Sequence, residues 1–135
     1  MMVTREFVLY LDRTQRALVA RGDFVRVDLG ERVRLADGTA MTSVLVGRAA
    51  GKLVGWINVC RHEAIALDAR APDEDAGVMT DDRRYLLCHA HGAIYRPSDG
   101  YCVSGPCHGA SLLSVAVADA GEADGAVRVT FEQMA

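Results

Sequence analysis

Apolar and polar positions begin to alternate at Asp23: Val25, Val27 and Leu29 are separated by Arg26 and Asp28, the period of a strand with one buried face. Val33 and Leu35 continue the pattern, and Asp37-Gly38 predicts a turn. Val44-Leu45-Val46 and Leu53-Val54-Gly55-Trp56-Ile57-Asn58-Val59 are rich in β-formers, and the segment from Gly47 to Lys52 between them predicts a hairpin. Tyr85-Leu86-Leu87 is a further short run. Leu112 to Val117 and Val127 to Phe131 bracket Asp119-Ala120-Gly121-Glu122-Ala123-Asp124-Gly125, a second hairpin signal. The start of the chain reads two ways, because Phe7-Val8-Leu9-Tyr10-Leu11 is strand-like while Arg13 to Ala20 consists mostly of helix-formers. The pattern predicts a mainly β chain with short strands and glycine-rich turns.

One stretch breaks it. Between Ala69 and Arg84 the acidic residues Asp73, Glu74, Asp75, Asp81 and Asp82 crowd around Pro72 and Gly77, which predicts a solvated loop or small excursion. An acidic docking face is the sharper reading of the same residues.

Composition narrows the class. At 135 residues, 50% hydrophobic and 24% charged, the chain suits one globular domain over residues 1–135, with the role of residues 1–21 open. A net charge of -3 and a pI near 5.7 argue against a nucleic-acid or anionic-membrane partner, either of which favours a basic surface. Residues 1–20 hold no continuous apolar core and carry Arg5, Glu6, Asp12, Arg13 and Arg16, so the expectation is a soluble cytoplasmic protein without signal or membrane anchor. No internal repeat or linker is visible.

The chemistry is concentrated in the middle. Cys60-Arg61-His62 and Cys88-His89-Ala90-His91 each offer a thiolate and an imidazole from a short segment, and together they make a two-sulfur, two-nitrogen metal site. All four cysteines and all four histidines lie between Cys60 and His108. Two disulfides in an exported domain are the alternative use of four cysteines, but the interleaved histidines favour ligation. A single zinc ion accepts the same ligand set.

The pairs, with the β-runs before them, Gly92 after the second, and Gly105-Pro106 downstream, resemble the Rieske family of 2Fe-2S proteins over about Asp23 to Phe131. The resemblance implies an all-β fold of small stacked antiparallel sheets, with a cluster-binding subdomain at about residues 58–110 forming the tip. It implies Cys60 and Cys88 as ligands of one iron and His62 and His91 as ligands of the other. Three loops would enclose the cluster, Cys60 to Asp68, Cys88 to Ser98, and the proline loop Gly105 to Gly109.

Departures from the family pattern are informative. Residues 63–87 form a longer interval between the ligand pairs than is usual, and His62 is followed by Glu63-Ala64 without the customary glycine. The loop cysteines that form a disulfide in the respiratory and photosynthetic members are here Ile65 and Ala90. Of two hydroxyls that donate to cluster sulfur in those members, the serine is Ala93 and the tyrosine is Tyr95. Loss of a donor predicts a potential in the lower part of the family range of roughly -150 to +300 mV.

Other candidates have simpler readings. Cys102 and Cys107 span the proline loop and are expected as free thiols in a reducing compartment, with a loop-stiffening disulfide as the alternative. His89 reads as a partly exposed loop residue and Trp56 as core. The resemblance implies a one-electron carrier between a reductase and an oxygenase or other redox enzyme. A small subunit of a larger oxidoreductase, such as nitrite reductase, is the second reading; a zinc-stabilised interaction module is the third. Chain length argues against the catalytic subunit of a Rieske oxygenase. No nucleophile, phosphate loop or substrate pocket is visible, so catalysis by the chain itself is not expected.

Overall fold

The alternation from Val25 becomes strand β2 (Val25–Arg34) in the computed structural model, which describes residues 1–73, 76–121 and 125–135. Val25, Val27, Leu29 and Val33 point inward along it, with a register shift between Asp28 and Val33. Glu74 and Asp75 of the acidic interval, and residues 122–124 of the last hairpin, lie outside the described residues.

Both readings of the N-terminal segment hold, in succession. Strand β1 (Met2–Tyr10) is followed by helix α1 (Arg13–Ala20), and Asp12 separates them. The Asp12 carboxylate accepts the Gln15 N–H at 2.7 Å while the Gln15 side chain accepts the Asp12 N–H at 3.1 Å. This reciprocal cap satisfies two of the amides a helix start leaves unpaired, which ends the strand and starts the helix.

Strands β3 (Ala40–Ala49) and β4 (Lys52–Ile57) form the first expected hairpin, but its turn is tighter than the segment from Gly47 to Lys52 predicts. Only Ala50 and Gly51 are unpaired, both at positive φ (53° and 79°), as a two-residue hairpin turn of the type that follows strand twist requires. Strands β5 (Leu86–Leu87), β6 (Ile94–Tyr95), β7 (Cys102–Ser104), β8 (Ser114–Asp119) and β9 (Ala126–Met134) complete the order.

Six strands make one antiparallel sheet in the order β1-β9-β8-β4-β3-β2, and β5-β6-β7 make a second. The larger sheet curls so that its ends meet, with Leu35 bridging Gln133 and Arg5 paired to Glu31 at 3.0 Å. Val44, Val46, Ile57, Val115 and Val129 fill its interior. Leu45 and Trp56, on the other face of β3 and β4, belong to a second apolar cluster with Leu67, Leu86 and Tyr95. Because side chains alternate across a strand, β3 and β4 are buried on both faces and link the two cores. Residues between β4 and β8 form the smaller unit. Where it joins the sheet, the Ile57 N–H donates to the Leu113 carbonyl at 2.8 Å.

The interval before Cys88 is only partly the solvated loop its charges suggest. Val78 and Met79 are buried in the second core, and residues 78–80 pair with 85–87 through Leu87 N–H to Val78 O at 2.8 Å and Thr80 N–H to Tyr85 O at 2.9 Å. No helix among the described residues is long and apolar enough to cross a membrane.

Candidate metal centre

Asn58, the first residue beyond β4, is almost wholly buried and fixes both ends of the first loop. Its side-chain carbonyl accepts the Leu67 N–H at 2.9 Å, and its amide group donates to Ser43 Oγ at 3.0 Å and to the Asp68 carboxylate at 3.2 Å. Asp68 also holds Arg26 at 3.0 Å. Between these anchors the Cys60 N–H closes on the Ile65 carbonyl at 2.7 Å, which turns Cys60 inward and leaves Arg61, His62 and Glu63 on the outside.

The second loop repeats the plan between β5 and β6. Cys88 N–H donates to Ala93 O at 2.9 Å and Gly92 N–H to Cys88 O at 3.0 Å, with Gly92 at φ 75° reversing the chain. The His89 N–H crosses to the Leu67 carbonyl at 2.9 Å and ties the two loops together. The third loop, which carries Gly105-Pro106, lies against the second. A Cβ on Gly105 (φ 104°) would stand 2.8 Å from Ala93 Cα, so only glycine permits this approach.

Cys60 and Cys88 are 4% and 1% exposed, and each thiol influences the ionisation of the other. Burial resists charge on both. At Cys60 that resistance is outweighed by the Tyr95 hydroxyl at 3.2 Å and by the backbone amides of His62 and Glu63, which lower its pKa. Cys88 is pushed up to about 11 by burial and by the adjacent Cys60, despite the amides of Ala90 and His91. Backbone amides of both loops therefore favour the charged form of the two sulfurs, as stabilisation of a metal-bound thiolate requires.

His62 and His91 sit at the surface, with ring centroids 4.9 Å apart and planes nearly perpendicular at 85°. Glu63 joins them, its carboxylate 3.6 Å from His91 Nδ1. Donor atoms of His62, Glu63 and His91 gather within 4.8 Å of one another, a grouping that includes neither thiol. A single zinc ion would collect all four ligand atoms at roughly 2.0–2.3 Å from one point. Separation into a buried sulfur pair and an exposed nitrogen pair suits a binuclear centre that takes sulfur at one metal and nitrogen at the other.

All four residues expected as ligands thus meet at one tip. Tyr95, fully buried, reaches back from β6 to the first loop, where its oxygen accepts the Arg61 N–H at 3.0 Å. Its pKa is held well above the ordinary tyrosine value by burial, Cys107 and Cys60, so it remains a protonated donor. His89 is half-buried, its Nε2 lying 3.0 Å from the Gly77 carbonyl rather than joining the ligands. Trp56 is core, and its indole N–H donates to Pro97 O at 3.1 Å. Cys102 and Cys107 are free thiols with sulfurs 3.2 Å apart. Sequence reasoning missed Asn58 and the nearness of Glu63 to the imidazoles. A polar residue at the end of an apolar strand was the available signal for Asn58.

Comparison with known proteins adds three results. The family model of the Rieske [2Fe-2S] domain matches residues 10–120. No curated protein sequence matches the chain. Solved structures share the fold: the reduced complex between oxygenase and ferredoxin in carbazole 1,9a-dioxygenase aligns with TM-score 0.55 and 20% identity over 93% of this chain and 28% of the other. The terminal oxygenases of carbazole 1,9a-dioxygenase from Novosphingobium sp. KA1 and Nocardioides aromaticivorans IC177 align with TM-scores of 0.56 and 0.54, each at 21% identity. Each alignment covers 97% of this chain, and 30% and 31% of the respective oxygenase chains. The chain thus spans less than a third of the length of these neighbours.

Proposed function

Since the chain belongs to the Rieske 2Fe-2S domain family, we propose that Cys60 and Cys88 hold one iron, that His62 and His91 hold the other, and that the protein carries single electrons between redox partners. The observation that carries this reading is the division of the tip into buried thiols and exposed imidazoles. When bound, the cluster supplies a site that takes up and releases one electron.

The residues of the chain do the rest. Cys60 and Cys88 keep the sulfur side away from water, and the backbone amides around them offset the charge that a thiolate brings into the core. His62 and His91 present the opposite edge to a docking protein, where a small, transient contact suffices for transfer. A reductase would supply the electron and an oxygenase or other redox enzyme would receive it. Residues 58–110 act as the cluster-binding subdomain within a domain spanning 1–135, in a soluble, cytoplasmic setting.

A subunit of a larger oxidoreductase is the second reading, favoured by the occurrence of this fold within chains more than three times as long in the structural neighbours. The spectrum of the dithionite-reduced protein tests the proposal. A 2Fe-2S paramagnetic signal with average g of about 1.9, that of mixed sulfur and nitrogen ligation, is expected. A colourless protein with one equivalent of zinc would overturn it.

A further inference from the structure

Cys102 and Cys107 stand in line with the centre. Cys102, in β7, pairs across the sheet with Tyr95 in β6. The proline loop then folds back through Gly109 N–H to Cys102 O at 3.1 Å and Cys102 N–H to Ala110 O at 2.8 Å. That fold places Cys107 Sγ 3.2 Å from Cys102 Sγ and 3.1 Å from the Tyr95 oxygen, which lies 3.2 Å from Cys60 Sγ.

The protons on this line can be counted. A phenol has one proton and two lone pairs. The Arg61 N–H takes one lone pair. A metal-bound Cys60 can only accept, so the phenol proton points to it, and the second lone pair faces Cys107. The one S–H of Cys107 has two acceptors in reach, Cys102 Sγ at 3.2 Å and the Tyr95 oxygen at 3.1 Å, and contact with the phenol is attractive when that proton turns to the oxygen. Cys102 directs its own proton to the Ser104 carbonyl at 3.2 Å.

We propose that Cys102 and Cys107 are a redox-active dithiol that controls the hydrogen bond from Tyr95 to Cys60. This rests on the reading of Cys60 as a cluster ligand. Reduced, Cys107 donates to the Tyr95 oxygen, polarises its O–H and strengthens donation to the Cys60 sulfur. Oxidised, the pair loses that proton, the bond to sulfur weakens, and the reduction potential of the centre falls, because donors to sulfur stabilise the reduced state.

The oxidant class is a low-molecular-weight disulfide. Cys107 is the more exposed of the two, and although burial and the neighbouring Cys102 push its thiol up to about 11, its small thiolate fraction attacks the disulfide and forms a mixed disulfide, releasing one small thiol. Cys102 then attacks the Cys107 sulfur and expels the second. One S–S bond breaks and one forms, two electrons pass to the small molecule, and its two thiols carry away the two protons. The sulfurs must close from 3.2 Å to a bond of roughly 2.0 Å, a small displacement for a surface loop.

Titrating the cluster-loaded protein with mixtures of oxidised and reduced glutathione tests the idea, with mass mapping of the 102–107 crosslink, visible absorbance and potentiometry on each sample. The expected result is a reversible crosslink at undiminished cluster absorbance, accompanied by a lower midpoint. Tyr95→Phe should crosslink without any shift. Cys107→Ser should not crosslink and should hold the midpoint of the reduced protein, since serine keeps a donor. No crosslink, a crosslink only after absorbance is lost, an unchanged midpoint, or a shift that persists in Tyr95→Phe would each overturn the proposal. A protein lacking the 2Fe-2S signal would remove the ligand assignment and the coupling with it, while the crosslink would still be scored by mass.

Discussion

The Tyr95 hydroxyl lies 3.2 Å from Cys60 Sγ, so a side chain leaving the second ligand loop makes its polar contact with the first. The same oxygen accepts the Arg61 N–H, which sets the turn that exposes His62. Tyr95→Phe should therefore lower the midpoint potential and cost about 1–2 kcal/mol of stability through the unpaired amide. Redox titration and denaturant unfolding measure the two effects, and an unchanged potential would show that the hydroxyl does not donate to sulfur.

For the unmodified protein a midpoint below about +100 mV is expected within the family range of roughly -150 to +300 mV, because Ala93 offers no hydroxyl at the position that is serine in the respiratory and photosynthetic members. A value well above that level would mean that another donor replaces it.

Asn58→Ala removes three hydrogen bonds at once and leaves the buried Leu67 N–H without a partner. A loss of about 2–3 kcal/mol is expected, together with a reduced iron content per chain, because the first loop loses both anchors. Iron analysis alongside urea unfolding checks this; full iron loading in the variant would remove Asn58 from the account of the site.

Gly105 and Gly109 offer an internal control within one loop. Both have positive φ, but only Gly105 presses on backbone, at 2.8 Å from Ala93 Cα. Gly109→Ala should cost the dihedral strain alone, about 1–3 kcal/mol, whereas Gly105→Ala should also lift the loop and hasten loss of visible absorbance on heating. Equal bleaching rates in the two variants would refute the contact argument.

Much of this was legible in the chain and some was not, for identifiable reasons. Spacing in Cys60-Arg61-His62 and Cys88-His89-Ala90-His91 located the tip, because short-range geometry suffices to turn a thiol and an imidazole to opposite sides of one loop. Strand β2 announced itself by period, β4 by its β-forming residues, and β9 by the turn signal it brackets with β8. Three features required long-range information. The helix at Arg13–Ala20 had a local signal in Asp12 and Gln15, whereas the strand before it depends on pairing with β9, more than a hundred residues away in sequence. Val78 and Met79 were hidden within an acidic interval, since two apolar residues have no period. The sulfur line from Cys102 to Cys60 exists only because Tyr95 and Cys102 face each other across β6 and β7.

Loss of the metal should affect the two cores unequally. Cys88→Ser is expected to abolish the cluster colour and to raise hydrogen exchange in the loops around residues 58–68, 88–93 and 104–110, while β1, β2 and β9, packed on the other apolar cluster, keep their protection. Uniform loss of protection across the chain would show that the sheet depends on the centre.

Strands β4 and β8 are neighbours, and everything between them leaves and re-enters the sheet where Ile57 meets Leu113. With its ends already held together, that excursion is a closed loop whose growth is entropically gentle, about 0.6 kcal/mol for each doubling of length. An extension at residues 63–87 therefore leaves the pairing of the larger sheet untouched, whereas extra residues within β3 or β4 would shift every rung beyond them. The architecture confines evolutionary novelty to one doorway, and a lineage seeking a new redox partner could reshape what passes through it while inheriting the frame intact.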